Sequence, residues 1–134
     1  MTKTPNTAPT AHAAEYRSVT QADLDGFATI SGDDNPIHTD PAFAATTPFA
    51  VPVAHGMFLF SLVRAELRRR WPSARLREQR LMFPAPTPVG SAVAVSLEVL
   101  DDTGSSLRVR TQVTARDGTI GLRGECVLDP GGVR

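Results

Sequence analysis

Residues 55–70 read HGMFLFSLVRAELRRR, and Trp71-Pro72 follows. The first half, GMFLFSLV, is apolar all round, which predicts a helix buried on every side. The second half, ELRRR, is polar, and Pro72 stops the helix. Downstream the period changes. Leu76 to Phe83 reads as a strand, and PAPTPVG (residues 84–90) as a turn-rich loop. Val93, Val95, Leu97 and Val99 alternate with polar or small residues, as do Leu107, Val109, Thr111 and Val113. Asp117-Gly118 is a hairpin signal, and Ile120, Leu122, Cys126 and Leu128 share one face of a last strand. One long apolar helix followed by an antiparallel meander gives an α+β class, with a curved sheet packed around that helix.

Upstream, residues 31–45 read SGDDNPIHTDPAFAA, and PVAHGM spans residues 52–57. Pro36 excludes Asn35 from the helical region, so the segment from Asp33 to His38 is expected as a rigid loop. Asp40-Pro41 caps a brief helix over AFAAT, and Thr46–Val53 is loop. Thr20 with Asp23 resembles a capping box opening a short helix that ends near Gly32, after a strand at about residues 15–19. A carboxylate and an imidazole on one rigid loop suit the positioning and activation of water. Taken alone, Asp33 can equally cap a turn, His38 can be a satisfied loop histidine, and Asn35 can form a plain Asx turn.

The pattern D-x-N-P-I-H-x-D-P-x-F-A, followed by H-G-M, resembles the MaoC-like hydratase/dehydratase family, which includes (R)-specific enoyl-CoA hydratases of the hot-dog fold. The resemblance runs from about Tyr16 to Leu128. It implies a single hot-dog domain over residues 15–129, between tails at residues 1–14 and 130–134, the first read as disordered. It implies that Asp33 and His38 bind and activate a water held between them. It also implies that the backbone N–H of Gly56, at the start of the helix, holds the thioester carbonyl, as a helix N-terminus favours. Asn35 and His55 are assigned supporting roles. The implied reaction adds water to a trans-2-enoyl thioester to give the (R)-3-hydroxyacyl thioester, or runs in reverse. A thioesterase, an enzyme adding an amine to an enoyl thioester, and a non-catalytic acyl-binding partner subunit are the alternatives on the same scaffold.

Met57, Phe58, Phe60 and Phe83 are candidates for core or for acyl-pocket lining. Arg68, Arg69 and Arg70 fall where cations complement the helix dipole. They are also candidates, with Arg75, Arg77 and Arg80, for holding the thioester carrier, either CoA or an acyl carrier protein. Arg64 departs from the small hydroxyl residue that some hydratases of the family carry near this position, and points to an altered pocket or substrate.

Composition sets the frame. The chain has 134 residues, enough for one core, with 41% apolar and 21% charged residues. Fourteen basic residues balance 14 acidic ones, which argues against an electrostatically driven nucleic-acid binder. A single cysteine, Cys126, precludes an intrachain disulfide and fits a reducing compartment. There is no apolar run long enough to span a membrane and no secretory signal, so the expected setting is the cytoplasm. The absence of clustered Cys/His ligands and of a glycine-rich nucleotide loop predicts no metal and no cofactor beyond the substrate's own CoA or phosphopantetheine. An unpaired sheet edge, together with the resemblance, predicts a homodimer formed edge to edge.

Overall fold

The computed structural model describes residues 11–13, as backbone, and residues 15–131. The chain runs β1 (Ala11–Ala13), β2 (Arg17–Ser18), α1 (Gln21–Ser31), α2 (Pro36–Thr39), α3 (Pro41–Ala44), α4 (Gly56–Arg70), β3 (Arg75–Met82), β4 (Ala92–Asp102), β5 (Leu107–Ala115) and β6 (Ile120–Asp129). The sheet order is β1-β4-β5-β6-β3, all antiparallel, with β2 pairing the same edge of β4 as β1. The helix α4 lies against β4, β5 and β6. This is the helix-on-sheet arrangement of the hot-dog fold.

The period-two pattern builds the sheet as read. In β5, Leu107, Val109, Thr111 and Val113 are buried, while Arg108 and Arg110 point to solvent. On that outer face Arg108 pairs with Glu125 at 3.0 Å, and Arg110 pairs with Glu98 across the β4–β5 ladder. The inner face meets Leu59, Val63 and Leu67 of α4 in one core that also takes in Val19, Leu24, Leu97, Leu122 and Leu128.

Four expectations change. First, residues 1–14 are not all tail, because Ala11–Ala13 pair with Ser96–Glu98 of β4; the other residues of that tail, and 132–134 of the C-terminal one, lie outside the described residues. Second, the strand expected at residues 15–19 is shorter, Arg17–Ser18. Third, α4 is buried along one face only. Phe58, Leu59, Val63 and Leu67 are buried, while Met57, Arg64, Ala65 and Arg68 are exposed. Fourth, the segment from Asp33 to His38 is not all loop. Asn35 is extended (φ −53°, ψ 131°), as a residue before proline must be, but Pro36 then opens the one-turn helix α2.

The entry to that segment is as expected. Thr20 and Asp23 form a reciprocal capping box on α1, and Gly32 ends the helix in the left-handed region at φ 81°. Among the described residues no helix is long and apolar enough to cross a membrane.

Candidate active site

The site is assembled where α2, the segment from Pro52 to Ala54, and the start of α4 meet. Asn35 caps α2 by accepting the N–H of Ile37 at 3.0 Å, and Asp40 caps α3 by accepting those of Ala42 and Phe43. The residues before α4 are held on both sides. Val53 N–H donates to Ile37 O, Ala54 N–H to Thr87 O, and Val89 N–H to Pro52 O. Val53 O in turn accepts from His38 Nδ1 at 2.7 Å.

That last bond fixes the tautomer of His38. A carbonyl only accepts, so Nδ1 carries the proton and neutral His38 presents the lone pair of Nε2. This nitrogen faces Asp33 Oδ2 at 3.9 Å. Two proton acceptors held at this separation are too far apart to bond to each other, and one water can donate a proton to each. The Asp33 side chain is 55% exposed and that of His38 13%, so the pair faces the cavity from a firm base on one side. Asp33 Oδ1 also accepts the N–H of Asn35 at 3.4 Å.

His55 forms the floor. It is 2% exposed, and its Nε2 donates to Asp33 O at 2.9 Å. Its ring stacks on that of His38 with centroids 3.8 Å apart, and Phe27 meets it edge-on at 4.9 Å. Nδ1 of His55 is buried and has no hydrogen-bond partner among the described residues. Burial pushes the His55 pKa below the ordinary imidazole value, and the positive charge that His38 carries when protonated acts in the same direction; the bond to Asp33 O opposes them. Donor atoms of Asp33, His38 and His55 lie within 4.8 Å of one another, a set of metal-ligand types that the spacing along the chain does not reveal. The two rings are nearly parallel, however, at 22°, so their in-plane lone pairs run side by side and do not converge on one ion.

Gly56 is the first residue of α4, where N–H groups have no intrahelical acceptor. The ring of Phe83 lies directly over it, and a Cβ added at Gly56 would sit 2.8 Å from that ring. Asp33, His38, His55 and Gly56 line one cavity of about 430 Å³. Its mouth is apolar and half-exposed, formed by Phe49, Met57 and Phe83.

Of the four aromatic and sulfur candidates, then, Met57 and Phe83 line this cavity. Phe58 is instead a core residue packed on Phe27, and Phe60 is half-buried against the same core. The carrier candidates scatter. Arg69 is paired with Glu66 at 2.9 Å, Arg70 lies over the ring of Trp71, and Arg75, Arg77 and Arg80 are exposed on the edge strand β3. Arg68 lines a separate cavity, with Arg64. Phe49, Thr87 and Gly121 also line the main cavity and were not singled out from the sequence. Gly121 offered one signal, since a glycine inside a strand marks close approach: a Cβ there would lie 2.3 Å from Thr87 Oγ1.

The sequence profile of the MaoC like domain matches residues 3–121. The chain belongs to the MaoC-like domain family. Within it, the chain is 37% identical over 111 residues to the (R)-specific enoyl-CoA hydratase of Aeromonas caviae, covering 80% of this chain and 83% of that one. It is 38% identical over 115 residues to the 3-hydroxybutyryl-CoA dehydratase of Methylorubrum extorquens, covering 84% and 70%. The unliganded R-hydratase PhaJ1 of Pseudomonas aeruginosa superposes with a TM-score of 0.88 at 32% identity, covering 93% of this chain and 82% of that one. These likenesses are to proteins named as a hydratase, a dehydratase and an R-hydratase, the last with the same fold as this chain.

Proposed function

We propose that this MaoC-like protein is a hydro-lyase that adds water to trans-2-enoyl thioesters to give (R)-3-hydroxyacyl thioesters, or catalyses the reverse dehydration. The observation that carries the proposal is the Asp33–His38 pair, two acceptors 3.9 Å apart facing one cavity with the N-terminus of a helix. Similarity to hydratases and dehydratases over most of the chain supports it.

In the forward direction the thioester carbonyl accepts a hydrogen bond from Gly56 N–H, favoured by the positive end of α4. Electron density drawn onto that oxygen makes the β carbon electrophilic. A water held by Asp33 Oδ2 and His38 Nε2 adds its oxygen to the β carbon while one of the pair takes its proton. The negative charge collects on the enolate oxygen at Gly56. The pair then delivers a proton to the α carbon on the same face and is regenerated, so the net change is H and OH across the double bond. His55 and Asn35 are positioning residues: His55 holds the backbone of Asp33 and supports the ring of His38, and Asn35 caps the turn that carries His38. The apolar mouth at Phe49, Met57 and Phe83 suits an acyl thioester. The reaction needs no cofactor beyond the carrier on which the acyl group arrives, CoA or an acyl carrier protein. We propose the same setting for the assembly, a homodimer paired through exposed sheet edges, for which a dimeric mass by light scattering is expected.

The test is turnover of crotonyl-CoA and longer enoyl-CoAs, followed as loss of the enoyl absorbance with chiral analysis of the product. Formation of the (R)-3-hydroxyacyl product is expected. Release of free CoA without hydration would replace this function with a thioesterase.

A further inference from the structure

The second cavity along α4 takes no part in the chemistry above. It has a volume of about 220 Å³ at the C-terminal end of the helix, and Arg64, Arg68, Leu67, Trp71 and Leu128 are among its walls. Arg64 and Arg68 are one turn apart and share a helical face. Like charges at this spacing destabilise a helix, and no carboxylate among the described residues pairs with either, in contrast to Arg69, which Glu66 holds. Leu67 and Leu128 are buried beneath the two cations and Trp71 is half-buried beside them. The charge of Arg64 reaches inward to β6: burial pushes the Cys126 thiol up to about 11, and Arg64 is the main charge pulling it the other way. Two uncompensated guanidiniums over an apolar floor form a receptor for an anion.

The position of the cavity relates it to the candidate active site. Met57, Ser61, Arg64 and Arg68 follow one another at helical spacing along a single stripe, and Met57 lines the first cavity as Arg64 and Arg68 line the second. At the rise of an α-helix, Arg64 lies ~12 Å and Arg68 ~18 Å along the axis from Gly56.

We propose that Arg64 and Arg68 form an anion subsite for the substrate, holding a phosphate or carboxylate carried at a fixed distance from the thioester carbonyl. The proposal rests on the hydratase function in one respect, that the thioester sits at Gly56. The anion has two available sources: a phosphate of the nucleotide end of the carrier, or a carboxylate at the far end of the acyl chain.

Arg64→Gln, Arg68→Gln and the double variant remove exposed charges and are expected to fold as the wild type does, checked by circular dichroism. Arg108→Gln, on the outer face of the sheet, controls for the loss of one positive charge. The probes are crotonyl-CoA, crotonyl-pantetheine, which lacks the nucleotide, and an enoyl-pantetheine ending in a carboxylate. KM and kcat are measured for each, with Kd by calorimetry for free CoA and for the carboxylate-ended thioester. If the anion is a phosphate, the double variant raises KM for crotonyl-CoA and Kd for CoA by ~10–100-fold and leaves crotonyl-pantetheine unchanged. If it is a carboxylate, the same rise appears only with the carboxylate-ended thioester. In either case kcat is little changed and Arg108→Gln matches the wild type. Unchanged KM and Kd for every probe would overturn the subsite. Should the wild type turn over none of the thioesters, the hydratase function has failed, and the two Kd values alone decide the subsite.

Discussion

The two ends of α4 carry opposite chemistry. At the N-terminal end the cavity holds proton acceptors, the Asp33 carboxylate and His38 Nε2, beside unpaired helical N–H groups and over a buried neutral imidazole. At the C-terminal end the cavity holds two cations that no carboxylate among the described residues pairs with. The acceptors are positioned by backbone: Val53 O, Asp33 O and the cap at Asn35 fix both rings and the turn between them. The cations are positioned only by helical spacing. The difference teaches that the candidate site for the reaction is made by irregular backbone packed against a helix start, whereas the basic cavity is written on one regular helical face.

The largest expected effect tests the first end. Asp33→Asn and His38→Ala are each expected to fold and to lose ~10²–10⁴-fold in turnover, as removal of a positioned acid or base does. Near-wild-type turnover in either would remove that residue from the reaction.

Next comes the helix start. Gly56→Pro deletes the N–H at a position where proline is tolerated, and a loss of ~10²–10³-fold in kcat is expected. Gly56→Ala keeps the donor but drives a methyl into the ring of Phe83. Its smaller loss is expected to be recovered in part by Phe83→Ala, whereas Gly56→Pro is not rescued. Equal losses in Gly56→Pro and Gly56→Ala, both cured by trimming Phe83, would reduce Gly56 to a packing residue.

A smaller effect concerns the floor. His55 is held neutral by burial, with its folded pKa below 6.5. The unfolded chain therefore binds the proton first as pH falls. The contribution to stability is complete above the ordinary value and is lost on descending through it toward the lowered folded value. His55→Gln keeps an N–H donor for Asp33 O but does not titrate. The Tm of the wild type is expected to fall further than that of His55→Gln between about pH 7.5 and about pH 5. Parallel pH profiles would show that His55 is not held neutral.

Much of this was legible in the sequence, and the exceptions have physical causes. The alternation in β5 was legible because one face of the sheet is wet, so period two survives in composition. The capping box at Thr20 and the stop at Gly32 are local and need no tertiary contact. The turn α2 was missed because the rule for a residue preceding proline governs Asn35, while Pro36 itself favours a helix start. The apolar run of α4 overstated its burial because Met57 is part of a cavity mouth and not of the core. Asp33, His38 and Gly56, which line one cavity, were singled out through their motif. The stacking of His55 on His38 and the approach of Thr87 and Phe83 were not, since the Val53–Pro88 bridge that brings these segments together is long-range.

The central claim is that Asp33 and His38 act as one unit on one water. A double-mutant cycle tests this most directly, with kcat/KM on crotonyl-CoA measured for the wild type, Asp33→Asn, His38→Ala and the double variant. Groups that share one proton-transfer task lose it together, so the double variant is expected to be about as slow as the worse single variant. Losses that multiply would mean that the two residues act independently, and would contradict the shared water.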